Sequence, residues 1–376
     1  MRGVLLAIGT RKGLFLARSS GAGRFEVDPV RFSTIGVPSV AIDTRGRVPR
    51  ILAGIEYGHF GPSVLRSDDL GESWQEGGGV SGARRAPGPG ASGASGAPIA
   101  FPETAATALT RVWQLQPSAS EPDVVWAGAE PGALFRSEDR GATFSLVEGL
   151  WNHPHRSRWE PGLGGLCLHT VLVHPGDSKT MVVAVSAGGV YRTEDGGTSW
   201  RAANRGIRAP FLPEGAQYPE FGQCVHKMDM HPSRPERLFL QHHGGVYRSD
   251  DFGDSWVPIG APLPSDFGFP LVVHPDRPDT LYVFPLRSDQ DRTPPDHRCR
   301  VFRSDDAGGS WRALDRGLPA GPAHASVLRD AMCASAGGVF FGTRDGEVYG
   351  SWDDGESWFP VADHLPDVLT VRAAAI

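Results

Sequence analysis

Short runs in which apolar and polar side chains alternate recur along the whole chain, each bounded by glycine, proline or aspartate. A period of two predicts half-buried strands rather than helices. Residues 189–192 and 245–248 both read Gly-Val-Tyr-Arg and lead into a polar turn. About ten residues earlier lies a second apolar run, 181–185 or 237–241. Ahead of that comes a third, 168–173 or 225–230, closed by a His-Pro turn.

The polar turn is itself a repeat. Ser67-Asp68-Asp69-Leu70-Gly71-Glu72-Ser73-Trp74 returns in the form S/T-x-D-x-G-x-S/T-W/F at 137–144, 193–200, 249–256, 304–311 and 351–358. Its central aspartates, Asp69, Asp139, Asp195, Asp251, Asp306 and Asp353, are spaced 70, 56, 56, 55 and 47 residues apart. The Asp is expected to cap turn amides, the Gly to take positive φ, and the Trp to pack beneath its own turn. A strand beginning at the aromatic residue completes four per unit, and four-stranded units at this period are propeller blades. A seventh unit, 13–16, has no such turn and lacks a first strand, which 368–371 would supply. The expected fold is all-β: one seven-bladed β-propeller over residues 1–376, its ring closed by the C-terminal strand. Residues 77–98, of which 19 of 22 are Gly, Ala, Ser or Pro, interrupt the spacing and are expected to form a flexible insertion.

The six turns resemble the Asp-box, or BNR, repeats of sialidases, xyloglucanases, sortilin-type receptors and a photosystem II assembly factor. The chain is most similar to bacterial sialidase-like BNR-repeat proteins. That resemblance implies the propeller and a glycoside-hydrolase-like enzyme, although relatives on this fold do different things. Sialidases carry six blades and an Arg-Ile-Pro tripeptide; this sequence has seven units and no such tripeptide. A true sialidase is therefore not expected.

Composition narrows the function classes. Gly and Pro, 49 and 32 residues, make up about 22% of the chain against roughly 12% in average usage, which suits many tight turns. With 40% hydrophobic residues and 10 Trp the chain can build a large core. A balance of 37 basic against 43 acidic residues gives net charge −6, and no basic face for nucleic acid is evident. No apolar run is long enough to cross a bilayer. The short run 4–8 is followed at once by Arg11-Lys12, and four cysteines make no disulfide framework. The expectation is a cytoplasmic protein.

Candidate chemistry falls on the face opposite the turns. His174, His231 and His274 belong to the repeated His-Pro turn, but nine other histidines map to the opposite face or to strand ends beside it. Cys167 and His169 occupy the same place in their unit as Cys224 and His226 in the next, and residues two apart on a strand share a face. With His242, these four are candidate zinc or copper ligands. Glu56 and Glu130 end matching second strands on neighbouring blades, flanked by Arg11 and Arg344. Paired carboxylates are what glycoside hydrolysis requires, so Glu56 and Glu130, with His243, are the candidate catalytic groups.

Candidate substrate-binding residues come from the loops. Tyr57 and His59 follow Glu56, and Lys227 follows His226. Trp151, His153, His155, Arg158, Trp159 and Glu160 lie in the longest loop, 151–165, and Tyr218 and Glu220 in the loop 210–223. The loop 287–300 reads as solvated. Three functions follow: an enzyme acting on a small molecule or glycan in the funnel, a zinc or copper protein, and a scaffold for a protein partner. No nucleic-acid or membrane partner is expected.

Overall fold

Seven antiparallel sheets of four strands each make up the computed structural model, which describes residues 3–20, 24–77, 98–335 and 337–376. All but the two end residues of the segment 77–98 lie outside the described residues. Blades 2 to 7 run outwards from the innermost strands Gly36–Asp43, Arg111–Pro117, Leu168–His174, Val225–Met230, Gly268–His274 and Met332–Ser335. Blade 1 takes its innermost strand, Val368–Ala375, from the C-terminal end of the chain. That strand pairs with Val4–Thr10, from Val4 opposite Ala375 to Thr10 opposite Val368. Each innermost strand contacts its two neighbours around the ring. The expected seven-bladed propeller and its mode of closure are what the chain forms.

Period-two alternation works differently here from a sheet with one wet face. On the second strand of blade 4, Met181, Val183 and Val185 pack with Trp126 and Leu134 of blade 3. Val182 and Ala184, on the other face, pack with Met228, Leu238 and Trp256 of blade 5. Each blade is thus a layer between two others, and its middle strands are apolar on both faces.

The recurring turns share one hydrogen-bond pattern. In the fifth blade the Ser249 hydroxyl donates to Asp251 Oδ1 (2.7 Å) and accepts from the Gly253 amide (2.8 Å), while Asp251 Oδ1 also accepts from the Ser255 amide (2.8 Å). The same three bonds recur around Asp69, Asp139, Asp195, Asp306 and Asp353. Positive φ is needed at two successive positions, not one: Phe252 sits at 54° and Gly253 at 90°. Asp251, bonded to Ser249 and Ser255, and Ser249, bonded to Gly253, together hold a non-glycine residue in that sparsely populated region.

These bonds make the turns sensitive to acid. Bonds from the Ser199 hydroxyl and amide draw Asp195 down to about 2. At Asp69, partial burial pushes upwards, but bonds from Ser73 and Ser67 outweigh it and again give about 2. The other four turn aspartates are lowered as well. A carboxyl depressed in the folded state stabilises it above the unfolded value of about 3.9, and that contribution fades as pH falls towards the folded value. Melting temperature should therefore be nearly flat from pH 7 to pH 5 and fall steeply from about pH 4 to about pH 2. A Tm that held constant to pH 2.5 would show that the turns carry no such stability.

Two features depart from expectation. Trp74 and Trp200 donate to their own turns, at Gly71 and Gly197, but Trp256 and Trp311 donate to the carbonyls of Ala203 and Ile259. These acceptors lie in the segments linking each blade to the one before, so the latter two indoles tie blades together. The second feature is a register shift at the same end of six innermost strands. It leaves Leu369, Trp113, His169 and His226 unpaired in the ladder. A bulge of this kind re-aims its extra side chain, and here it sets what the central funnel presents.

Candidate functional site

The funnel is a cavity of about 830 Å³, and bulge residues Pro38, Trp113, His226, Phe269 and Leu369 contribute to its lining. From blade 7, Arg329 arrives just ahead of the innermost strand. Its guanidinium lies 5.0 Å from the Trp113 ring centre, and Arg111 lies 4.7 Å from the same ring. Arg158 covers Phe221 at 4.5 Å and Arg292 covers Phe269 at 5.2 Å. Cation–π stacking holds these planar groups against the wall with their charge towards the cavity.

Charge in the funnel is unequal. Arg11 and Arg344 share the Asp367 carboxylate, each at 2.8 Å, and Arg111 pairs with Glu56. Arg158, Arg292 and Arg329 pair with no carboxylate among the described residues. Arg329 is only 9% exposed and donates to the Cys167 sulfur at 3.0 Å. Of the lining acids, Asp330 is bound to Lys227 Nζ at 2.8 Å and to Arg372, leaving Glu160 and Asp289 as counterweights. The cavity is cationic although the chain is acidic.

Glu56 and Glu130 stand on matching second strands, as expected, but neither lines the cavity. Glu56 receives the Arg111 guanidinium, and Glu130 accepts from Trp113 Nε1 at 2.9 Å. They hold two side chains that do line it.

The two Cys-x-His pairs diverge. In blade 5, Cys224 Sγ lies 3.6 Å from His226 Nε2, and His243 completes a group whose ligand atoms all fall within 4.8 Å of one another. His226 Nδ1 is 2.6 Å from the Gly268 carbonyl oxygen, so Nδ1 carries the proton and Nε2 is an acceptor. In blade 4 both His169 nitrogens are taken, by the Thr170 hydroxyl (3.0 Å) and the Val225 carbonyl (2.9 Å), and Cys167 faces Arg329. Both histidines clamp the next innermost strand, but His169 also loses its second nitrogen to Thr170 while His226 keeps Nε2 towards its cysteine, so the expected convergence of both pairs fails. His242 is fully buried, its Nδ1 accepting from the Gly244 amide at 3.1 Å and its Nε2 without a partner among the described residues. Burial pushes the Cys224 thiol up despite the opposing charge of Arg329, so it is no activated nucleophile. Burial lowers both His226 and His243, keeping their rings neutral.

The loop 151–165 is divided. Trp151 lies under the Arg156 guanidinium and against Phe101. His153 reaches the Trp200 carbonyl (3.2 Å), His155 the Tyr191 hydroxyl (3.2 Å), and Trp159 donates to the same hydroxyl (2.9 Å). These four anchor the loop to blades 3 and 4, and only Arg158 and Glu160 of those expected reach the funnel. Tyr57 packs edge-on to Phe60, while His59, Tyr218 and Glu220 are exposed and off the lining. Lys227 is buried in its ion pair.

The comparisons with known proteins bear on the scaffold. Over 86% of this chain, an ancestral GH74 enzyme superposes with TM-score 0.52 at 16% identity; the match spans 37% of that enzyme's length. YCF48 from Cyanidioschyzon merolae superposes over 86% of this chain and 84% of its own, with TM-score 0.50 and 14% identity. No model of a protein family matches the chain, and no curated protein matches it. The likeness is one of fold alone.

What sequence reasoning missed is largely aromatic and cationic. Trp113 sits where His226 sits on its own blade, a correspondence visible once innermost strands are aligned, while Arg329 lies ahead of the innermost strand of blade 7. The loop 210–223 offers Phe211 and Phe221 rather than its polar residues, and the loop 287–300, expected to be solvated, supplies Asp289 and Arg292.

Proposed function

We propose that the chain is an Asp-box propeller whose funnel binds and transforms a small organic anion with a flat or ring-shaped body, a sugar acid or an aromatic acid. Arg329 carries this proposal. A buried charge without a counter-ion is costly, and an anion that arrives beside it recovers that cost. Trp113, Phe221 and Phe269, each already stacked with a guanidinium, suit a ligand that is flat on one side and charged on another. Glu56 and Glu130 act through Arg111 and Trp113 as positioning residues, and the Cys224–His226–His243 corner lines the same funnel as a cluster of potential metal ligands. The exposed Leu163 and Phe211 on the lining favour a second reading, in which a carboxylate-bearing peptide enters the same funnel.

Calorimetric titration with sugar acids, aromatic acids and their uncharged analogues tests this. The acids should bind and the neutral analogues should not. Arg329→Met should weaken the acids by about 30-fold, or about 2 kcal/mol, while Tm stays level or rises because an unpaired buried charge is gone. Unchanged affinity, or a collapse in Tm, would make Arg329 structural and the proposal wrong.

A further inference from the structure

We propose that Cys224, His226 and His243 hold a zinc or copper(I) ion at the funnel wall, with one coordination position open to the cavity. The distances fit. Zinc–sulfur and zinc–nitrogen bonds of about 2.3 and 2.05 Å at a tetrahedral angle put S and N about 3.6 Å apart, and trigonal copper(I) gives nearly the same. Cys224 Sγ and His226 Nε2 are 3.6 Å apart already. A direct S–H···N bond is satisfied at that distance too, so the neighbouring groups decide.

Four of them favour a metal. The Gly268 carbonyl, accepting at 2.6 Å, fixes His226 with the Nε2 lone pair turned to the thiol, which is the outer-shell contact that metal-bound imidazoles make. His243 sits in the short turn between the strands Leu238–His242 and Gly245–Ser249, and its amide donates to the Cys224 carbonyl at 2.9 Å. Its ring makes no hydrogen bond among the described residues and is half-buried, so it can swing the remaining fraction of the 4.8 Å span. Phe267 and Phe269 pack against His226 at 5.3 and 4.8 Å and keep that side dry.

Binding displaces the proton of the Cys224 thiol, because the thiolate is the form that ligates a metal. The thiolate offsets part of the ion's charge, which matters next to Arg292 and Arg329. The organic anion supplies the rest from the open position, so metal and anion should bind with positive coupling. The metal site deepens the funnel function and rests on it only for the identity of that last donor.

The test uses the full chain, purified without affinity tag or chelator and analysed for metals by plasma mass spectrometry. It is then titrated with Zn²⁺ and, under reductant without oxygen, with Cu⁺. About one ion per chain is expected, and the ion retained more tightly identifies the metal. Cys224→Ser and His243→Ala should each weaken binding by more than about 100-fold, beyond the 10- to 100-fold that outer-shell changes cost. Cys167→Ala should leave it intact. Co²⁺-loaded protein should show a thiolate-to-cobalt absorption that Cys224→Ser removes. Wild-type chain with a normal melting curve that takes up neither ion overturns the proposal, as does stoichiometric metal surviving Cys224→Ser. No organic ligand is present in these titrations, so their failure leaves the anion site standing, and failure of anion binding leaves the metal site standing.

Discussion

Asp330→Asn is expected to destabilise the protein by about 3–5 kcal/mol, the range found when one member of a buried ion pair is removed. Asp330 is 3% exposed and lies between Lys227, 7% exposed, and Arg372. Burial alone would raise its pKa, but the charges of Lys227 and Arg372 outweigh that and hold the carboxyl well below the usual range. Lys227 comes from blade 5, Asp330 from the start of blade 7 and Arg372 from the closing strand of blade 1. The cluster therefore spans the channel and pins the C-terminal strand in place. Asparagine keeps the shape and removes the charge, leaving two cations facing each other in a region poor in water. Adding Lys227→Met to Asp330→Asn should recover part of the loss, since one stranded cation is gone. Chemical denaturation of the three proteins measures this. A loss under about 1 kcal/mol in Asp330→Asn would mean that water, not the carboxylate, solvates the two cations.

This cluster also shows where legibility in the sequence ended. The blades could be read because each repeats the same local chemistry. Asp251 must reach Ser249 and Ser255, and Ser249 must reach Gly253, within one turn, so the spacing of those residues in the sequence is the structure. Closure by 368–371 could be read because a strand without a blade and a blade without a strand leave one solution. The channel, by contrast, is assembled from positions that are not repeated. Lys227, Asp330 and Arg372 are 103 and 42 residues apart in pairs, and only the ring brings them together.

The candidate site was half legible for the same reason. Cys224-x-His226 could be found by its spacing. Its blade 4 counterpart has the same spacing yet a different role, because the Thr170 hydroxyl and the Val225 carbonyl together take both nitrogens of the His169 ring, whereas His226 gives only one to a carbonyl. Glu56 and Glu130 rhyme in sequence and do occupy equivalent places, but their partners, Arg111 and Trp113, decide that they face side chains and not the cavity. Polar residues in loops attract functional assignment, yet the loop 210–223 turns its aromatic side chains to the funnel. A loop anchored at both ends buries what fits, and sequence pattern carries no information about which side that is.

Trp256→Ala should cost about 3–5 kcal/mol, as for other large aromatics removed from a core. The indole is 3% exposed, packs with Val182 of blade 4 and Leu238 and Phe252 of blade 5, and donates to the Ala203 carbonyl at 2.9 Å. Its loss opens a cavity between two layers and strands a buried carbonyl, so transfer, cavity and hydrogen-bond terms all act in one direction. Trp74→Ala is the comparison. That indole is half-exposed and bonds only within its own turn, at Gly71, so its removal should cost markedly less. Urea denaturation at one pH resolves the two. Equal losses would mean that the link from Trp256 to the preceding blade adds nothing and that the turn alone is what each indole supports. Below the transition, folded Trp256→Ala protein should bind metal like wild type, because the ring packs near the turns and Cys224, His226 and His243 are held by other contacts. A folded variant that loses the metal would show that the layer between blades 4 and 5 sets the spacing of the ligands, and that stability and site are coupled through this one side chain.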